Sequence, residues 1–147
     1  MNLLTLKDNI SEDGLPASFE PATEGFDAER VNVKLDIDGF AEPLTLQITE
    51  IETDQIKDLE MVQLYAPISI ELGEAQARDI LQILPEINEA VPLIGFNIHP
   101  EEKFVYFRHV MLVPEGNIGL KVVTEGTWMA HFALDMFAGR IAAIALT

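Results

Sequence analysis

The chain has no cysteine, which excludes disulfides, thiol catalysis and thiolate metal sites. It is also poor in basic residues: nine Lys and Arg stand against 25 Asp and Glu, a formal net charge of -16. Such a charge repels nucleic-acid phosphates and anionic membrane surfaces, so neither is expected as a partner, and it favours cationic partners at long range. The opening run from Met1 to Asp8 lacks a basic segment followed by a long apolar one, so no secretory signal is expected and the protein is read as cytoplasmic. No phosphate-binding glycine loop, nucleophile constellation, internal repeat or low-complexity tract occurs. Neither an enzymatic activity nor a cofactor is therefore expected.

What is present is a hydrophobic content of 48% in 147 residues, enough for one domain with a real core. Residues 1–29 are acidic and punctuated by Gly14, Pro16, Pro21 and Gly25, and are expected to be an irregular N-terminal segment ahead of a single domain over 30–147. From there the hydrophobic period carries the information. Val31, Val33, Leu35 and Ile37 alternate with polar residues, Asp38-Gly39 marks a turn, and Leu44, Leu46 and Ile48 alternate again, predicting a hairpin. A third alternating run covers Val62 to Ile70, where Pro67 predicts an edge position or the strand's end.

From Gly73 the period becomes helical, with Ala77, Ile80, Leu81, Leu84, Ile87 and Val91 on one side and Pro85 predicting a kink or a break. Leu93–Ile98 and Phe104–Val113 then predict a second hairpin. Both sides of its second strand are apolar, which predicts a central place in the sheet or cover by a partner chain. The remainder is helical in character, with Gly126 a potential break. Its His131, Asp135 and Arg140 would be costly in hydrocarbon, so a core helix is expected and not a membrane span. The order β-β-β-α-β-β-α predicts an α+β fold with an antiparallel five-stranded sheet.

Candidate chemistry is thin. Asp36-Ile37-Asp38-Gly39 resembles part of a calcium loop, but Lys34 and Thr45 occupy positions where further oxygen ligands would be needed, so a strand-end turn is expected. His99, His109 and His131 lack the spacing that would put two on one helix face, and no metal site is expected. Arg108 is expected in a structural ion pair. A site converging from His99, Arg108 and His109 would be the alternative for a small-ligand binder or an enzyme, and a structural subunit of a larger assembly is a further alternative. Trp128, Met129, Phe132 and Met136 are the candidates for a protein-binding surface, because a partly buried Trp anchors interfaces and thioethers repack around partners.

The run Ile80-Leu81-Gln82-Ile83-Leu84-Pro85-Glu86-Ile87-Asn88, then Gly95-Phe96-Asn97-Ile98 and Phe104-Val105-Tyr106-Phe107-Arg108, resembles the YbjN-like proteins and their structural relatives, the type III secretion chaperones, over residues 60–146. In those families an amphipathic helix opens the domain, a Leu-rich helix ending near an Asn leads into a hairpin whose second strand carries an Arg, and a long helix closes it. The resemblance implies a secretion-chaperone-like fold and a small acidic homodimer that binds protein segments, as chaperone or adaptor, without catalysis. The apolar weight of residues 80–146 independently predicts a homodimer, since a two-helix, one-sheet monomer would leave much of it uncovered.

Overall fold

A computed structural model describes all residues, Met1–Thr147. The elements run α1 (Leu3–Glu12), β1 (Ala17–Glu20), β2 (Arg30–Leu35), β3 (Leu44–Ile51), β4 (Leu59–Ile68), α2 (Glu74–Ala90), β5 (Phe96–Ile98), β6 (Val105–Pro114) and α3 (Asn117–Ala145). The strands form one antiparallel sheet in the order β1-β2-β3-β4-β6-β5. The fold is α+β, but the sheet has six strands where five were expected.

The additional strand and an additional helix both come from residues 1–29, where an irregular segment was expected. Asn2 caps α1 by accepting a hydrogen bond from the Thr5 amide, and Leu3, Leu6 and Ile10 form a one-sided apolar stripe that is buried in the core. Gly14, at φ +104°, ends the helix region in a conformation that suits glycine, and β1 then pairs with β2 from Ala17↔Val33 to Glu20↔Arg30. The acidic residues that suggested irregular chain lie on the solvent side of this helix and at its C-terminal cap, at the end of β1 (Glu20) and in the loop that follows it.

All three helices pack on one face of the sheet. α1 rests on β1 and β2, α2 beside β5, and α3 runs between them across β4 and β6. Period-two alternation places Val31, Val33, Leu46, Ile48, Leu64 and Phe107 towards this layer, all fully buried. Phe96, Phe107 and Phe137 join sheet to helix through edge-to-face contacts with ring centres 5.4 and 6.3 Å apart.

Each proline and glycine expectation has a physical outcome. Pro67 is the penultimate residue of β4, which lies inside the sheet between β3 and β6 and not at the expected edge: its missing N–H faces the β3 side, beyond the last ladder pair Gln47↔Tyr65. Helix α2 continues through Pro85 as one element, and Pro85 lies on the exposed side, where water can solvate the carbonyl that its ring deprives of a partner. Helix α3 likewise runs unbroken for 29 residues. Gly126 serves close approach: a Cβ there would stand 2.8 Å from Cε of Met111 on β6. The Asp38-Gly39 pair makes the β2–β3 turn, with Gly39 at φ +91° and 3.9 Å from Gly139 of α3 if given a Cβ.

Asn88, near the end of α2, fastens β5. Its side-chain amide donates to the Phe96 carbonyl at 2.9 Å and accepts from the Phe96 amide at 2.7 Å, so it acts as one residue of an adjoining strand at the sheet edge. At the opposite side of the molecule, the Met1 ammonium is partly buried and lies 2.6 Å from both Glu50 and Glu60. Burial alone would lower the pKa of this amine, but hydrogen bonds to and attraction by the two carboxylates outweigh it and hold the pKa above its ordinary value.

Candidate interaction surfaces

The histidine and arginine candidates do not converge. His99 sits in the β5–β6 turn, stacked on Phe104 with ring centres 5.4 Å apart, and its Nδ1 accepts from the Glu102 amide. Arg108 and His109 are neighbours on β6 and therefore project to opposite faces of the sheet. Arg108 is exposed on the helix-free face and its Nε donates to Gln63 Oε1 at 2.8 Å, in place of the expected ion pair. His109 faces the helix layer, where its Nδ1 meets the Ile94 carbonyl. His131 is half-buried on α3 beside the Trp128 ring. No group of three or more His, Asp or Glu side chains is placed to hold a metal ion. A surface depression of about 340 Å³ beside Leu81 and Ile98 is flanked by the exposed Lys103–Glu74 ion pair.

Two surfaces remain. The first is the outer side of α3. Ile118, Val122, Met129, Phe132 and Met136 are all exposed large apolar side chains, with Phe132 exposed by 51% and Met136 by 49%. Their spacing keeps to alternating steps of four and three residues, with the step between Val122 and Met129 passing through Glu125, so they form one stripe along a helix about 43 Å long. The opposite side of α3 carries Val123, Ala130, Leu134, Phe137 and Ile141, all buried against the sheet and the other helices. Trp128 is set apart from Met129, Phe132 and Met136: it is half-buried at the flank of the stripe and packs against the core.

The second surface is the helix-free face of the sheet, formed by the alternate residues that point away from the core. Register fixes its rows. Asn32, Gln47, Tyr65 and Arg108 lie side by side across β2, β3, β4 and β6, and Ile51, Met61 and Leu112 form another row two steps along. Tyr65 packs against Tyr106 with ring centres 5.6 Å apart, and burial is the main cause of a Tyr65 pKa above the ordinary value, with Tyr106 and Glu102 adding to it. Leu59 and Leu112 are largely exposed at the apolar corner of this face. Sequence periodicity identified both sides of β6 as apolar, but only one is covered: Val105, Phe107 and Val113 are buried, whereas Leu112 is 53% exposed. The sequence reading missed this face as a surface, although the alternation of the strands already contained it.

No helix is long and apolar enough to cross a membrane. Comparison of the chain with known protein families, with curated proteins and with solved structures found no match.

Proposed function

We propose that this protein is a non-enzymatic protein-binding module of secretion-chaperone-like fold, chaperone- or adaptor-like in action, that works in the cytoplasm as a homodimer assembled through its C-terminal half. One observation carries this function: the uncovered apolar stripe of α3, with Met129, Phe132 and Met136 facing solvent on a helix whose other side is a packed core. Contiguous apolar surface of that kind is uncommon on soluble monomers, and alternating steps of three and four residues are what a second helix requires of its partner. The like charge of two chains at -16 opposes association at long range, but at physiological salt it is screened beyond about 8 Å and leaves apolar burial to decide. The amphipathic helix α1 supports the resemblance to the secretion chaperones, since those families open with such a helix.

Charge also favours one orientation. In a parallel pair, Glu125 would meet its own copy within the seam, whereas an antiparallel pair centred near Met129 brings Val122 beside the partner's Met136 and Lys121 within a turn of the partner's Asp135. Light scattering on the eluting protein at micromolar concentration, in low and high salt, tests the dimer. A mass near twice 16.3 kDa is expected, reverting to 16.3 kDa in Phe132→Glu with an unchanged circular dichroism spectrum. A wild-type mass of 16.3 kDa in both buffers would overturn it.

A further inference from the structure

The helix-free face of the sheet reverses the charge of the molecule. Its strand residues include one of the 25 acidic side chains, Glu20, but three of the nine basic ones, Arg30, Lys34 and Arg108. The rest of the molecule, taken together, is therefore more acidic than the total charge suggests. None of these three pairs with a carboxylate: the ion pairs of the molecule involve Met1, Lys7, Lys103 and Arg140, and six of its nine Lys and Arg side chains have none. Lys34 instead donates to Thr45 Oγ1 at 2.7 Å, Arg108 donates to Gln63, and the guanidinium of Arg30 lies 4.2 Å from the centre of the Phe26 ring, its Nε and Nη1 buried and without hydrogen-bond partners.

We infer that this face binds an extended, acidic and apolar peptide segment of another protein. The inference rests on the protein-binding function proposed above but uses a different surface from the α3 stripe. Geometry sets the pattern of the segment. Lys34 and Arg108 are separated by three strand spacings and one two-residue step, about 16 Å, and Arg30 is the same distance from Arg108 on the other side. An extended chain covers that span in about five residues, so carboxylates four or five positions apart match the cations. Further along the same strands, Ile51, Met61 and Leu112 offer apolar contact to residues flanking the acidic ones, and Gln47, Tyr65 and Asn32 between the cations offer neutral hydrogen-bonding groups. A nucleic acid would match the cations but not the apolar corner, and its regularly repeated charge would meet the -16 of the whole molecule. A peptide with two or three carboxylates meets far less of that repulsion, because most of it is screened over the distances involved.

Selection of a phage-displayed library of random 16-residue peptides on the intact protein tests this. Enriched sequences should carry acidic residues four or five positions apart next to apolar ones. A synthetic copy of the most enriched peptide should bind at least about tenfold more weakly to Lys34→Glu/Arg108→Glu, and equally well to Phe132→Glu. Both sheet residues are exposed, so the double variant should keep the wild-type melting temperature. If it does not, Lys34→Ala/Arg108→Ala gives the same comparison. The inference is overturned if no peptide is enriched, if the enriched peptides lack acidic residues, if the double substitution leaves affinity unchanged, or if single-stranded oligothymidine displaces the peptide. Loss of binding in Phe132→Glu alone would also overturn it while leaving a protein-binding α3 intact. Failure of the dimer test with a positive peptide result would remove the α3 assembly and not the sheet site.

Discussion

Two phenylalanines on opposite sides of the core boundary give the sharpest test of the packing. Phe107 is fully buried on β6, opposite Ala66 on β4 and edge-on to Phe96 at 5.4 Å. Truncation to alanine removes the whole ring from a site walled by backbone on two sides and leaves a cavity that strands cannot close. The cost should be about 3 to 5 kcal/mol, and in a chain of this size each kcal/mol lowers the melting temperature by about 2 to 4 °C, so a drop of about 6 to 20 °C is expected. Phe132 is the control, because half of it already faces water. At high dilution, Phe132→Ala should cost under about 1 kcal/mol. At raised protein concentration the wild type should gain stability that Phe132→Ala does not, since a dimer's melting temperature follows mass action. Denaturant melts read by circular dichroism at several concentrations measure both. A loss below about 1 kcal/mol for Phe107→Ala would refute the placement of β6 under the helix layer.

Asn88→Ala should cost about 1 to 3 kcal/mol and speed amide exchange at Phe96, because both backbone groups of Phe96 facing α2 would lose their partner. Gly119→Ala should be at least as damaging as a typical overpacked core substitution, about 1 to 3 kcal/mol, since its Cβ would fall 1.9 Å from the Pro114 carbonyl oxygen. Gly126→Ala should cost less in the same melts, because it meets only the mobile end of Met111. The raised pKa of the Met1 amine means that its ion pairs stabilise the fold fully below pH 8.0, the ordinary value, and that this contribution is lost as pH rises through the folded value. Urea melts from neutral to alkaline pH should show that decline, and acetylation of the amine should remove it; the raised pKa of Tyr65 adds a further loss beyond pH 10.0.

The period of the hydrophobic residues revealed both hairpins, α2 and the apolar weight of α3, because a half-buried strand and an amphipathic helix each leave a repeating mark. α1 stayed hidden for a physical reason. Its apolar stripe is only Leu3, Leu6 and Ile10, and the acidic and proline-rich chain beyond it dominates the composition of residues 1–29. β1 is four residues long, too short for alternation to stand out. Pro85 and Gly126 looked like interruptions because propensity is local, whereas an exposed proline and a glycine pressed against Met111 are tolerated or required by tertiary neighbours. Of the candidate surfaces, Met129, Phe132 and Met136 were legible as a cluster of apolar residues on one helix. The sheet-face cations were not, since Arg108 is far in sequence from Arg30 and Lys34 and joins them only through register.

The central place of α3 has a consequence for the order of events during synthesis. It touches α1, α2, β4 and β6, and it is made after all six strands and the other two helices. Until α3 has left the ribosome, the apolar side of β4 and β6 stays open and α1 and α2 have no common neighbour. A nascent chain of some 115 residues must therefore hold a complete set of strands with the middle of its apolar face uncovered, a state prone to aggregation. Slowing translation just before Asn117 should prolong that exposure, and the yield of soluble protein in cells should fall with it.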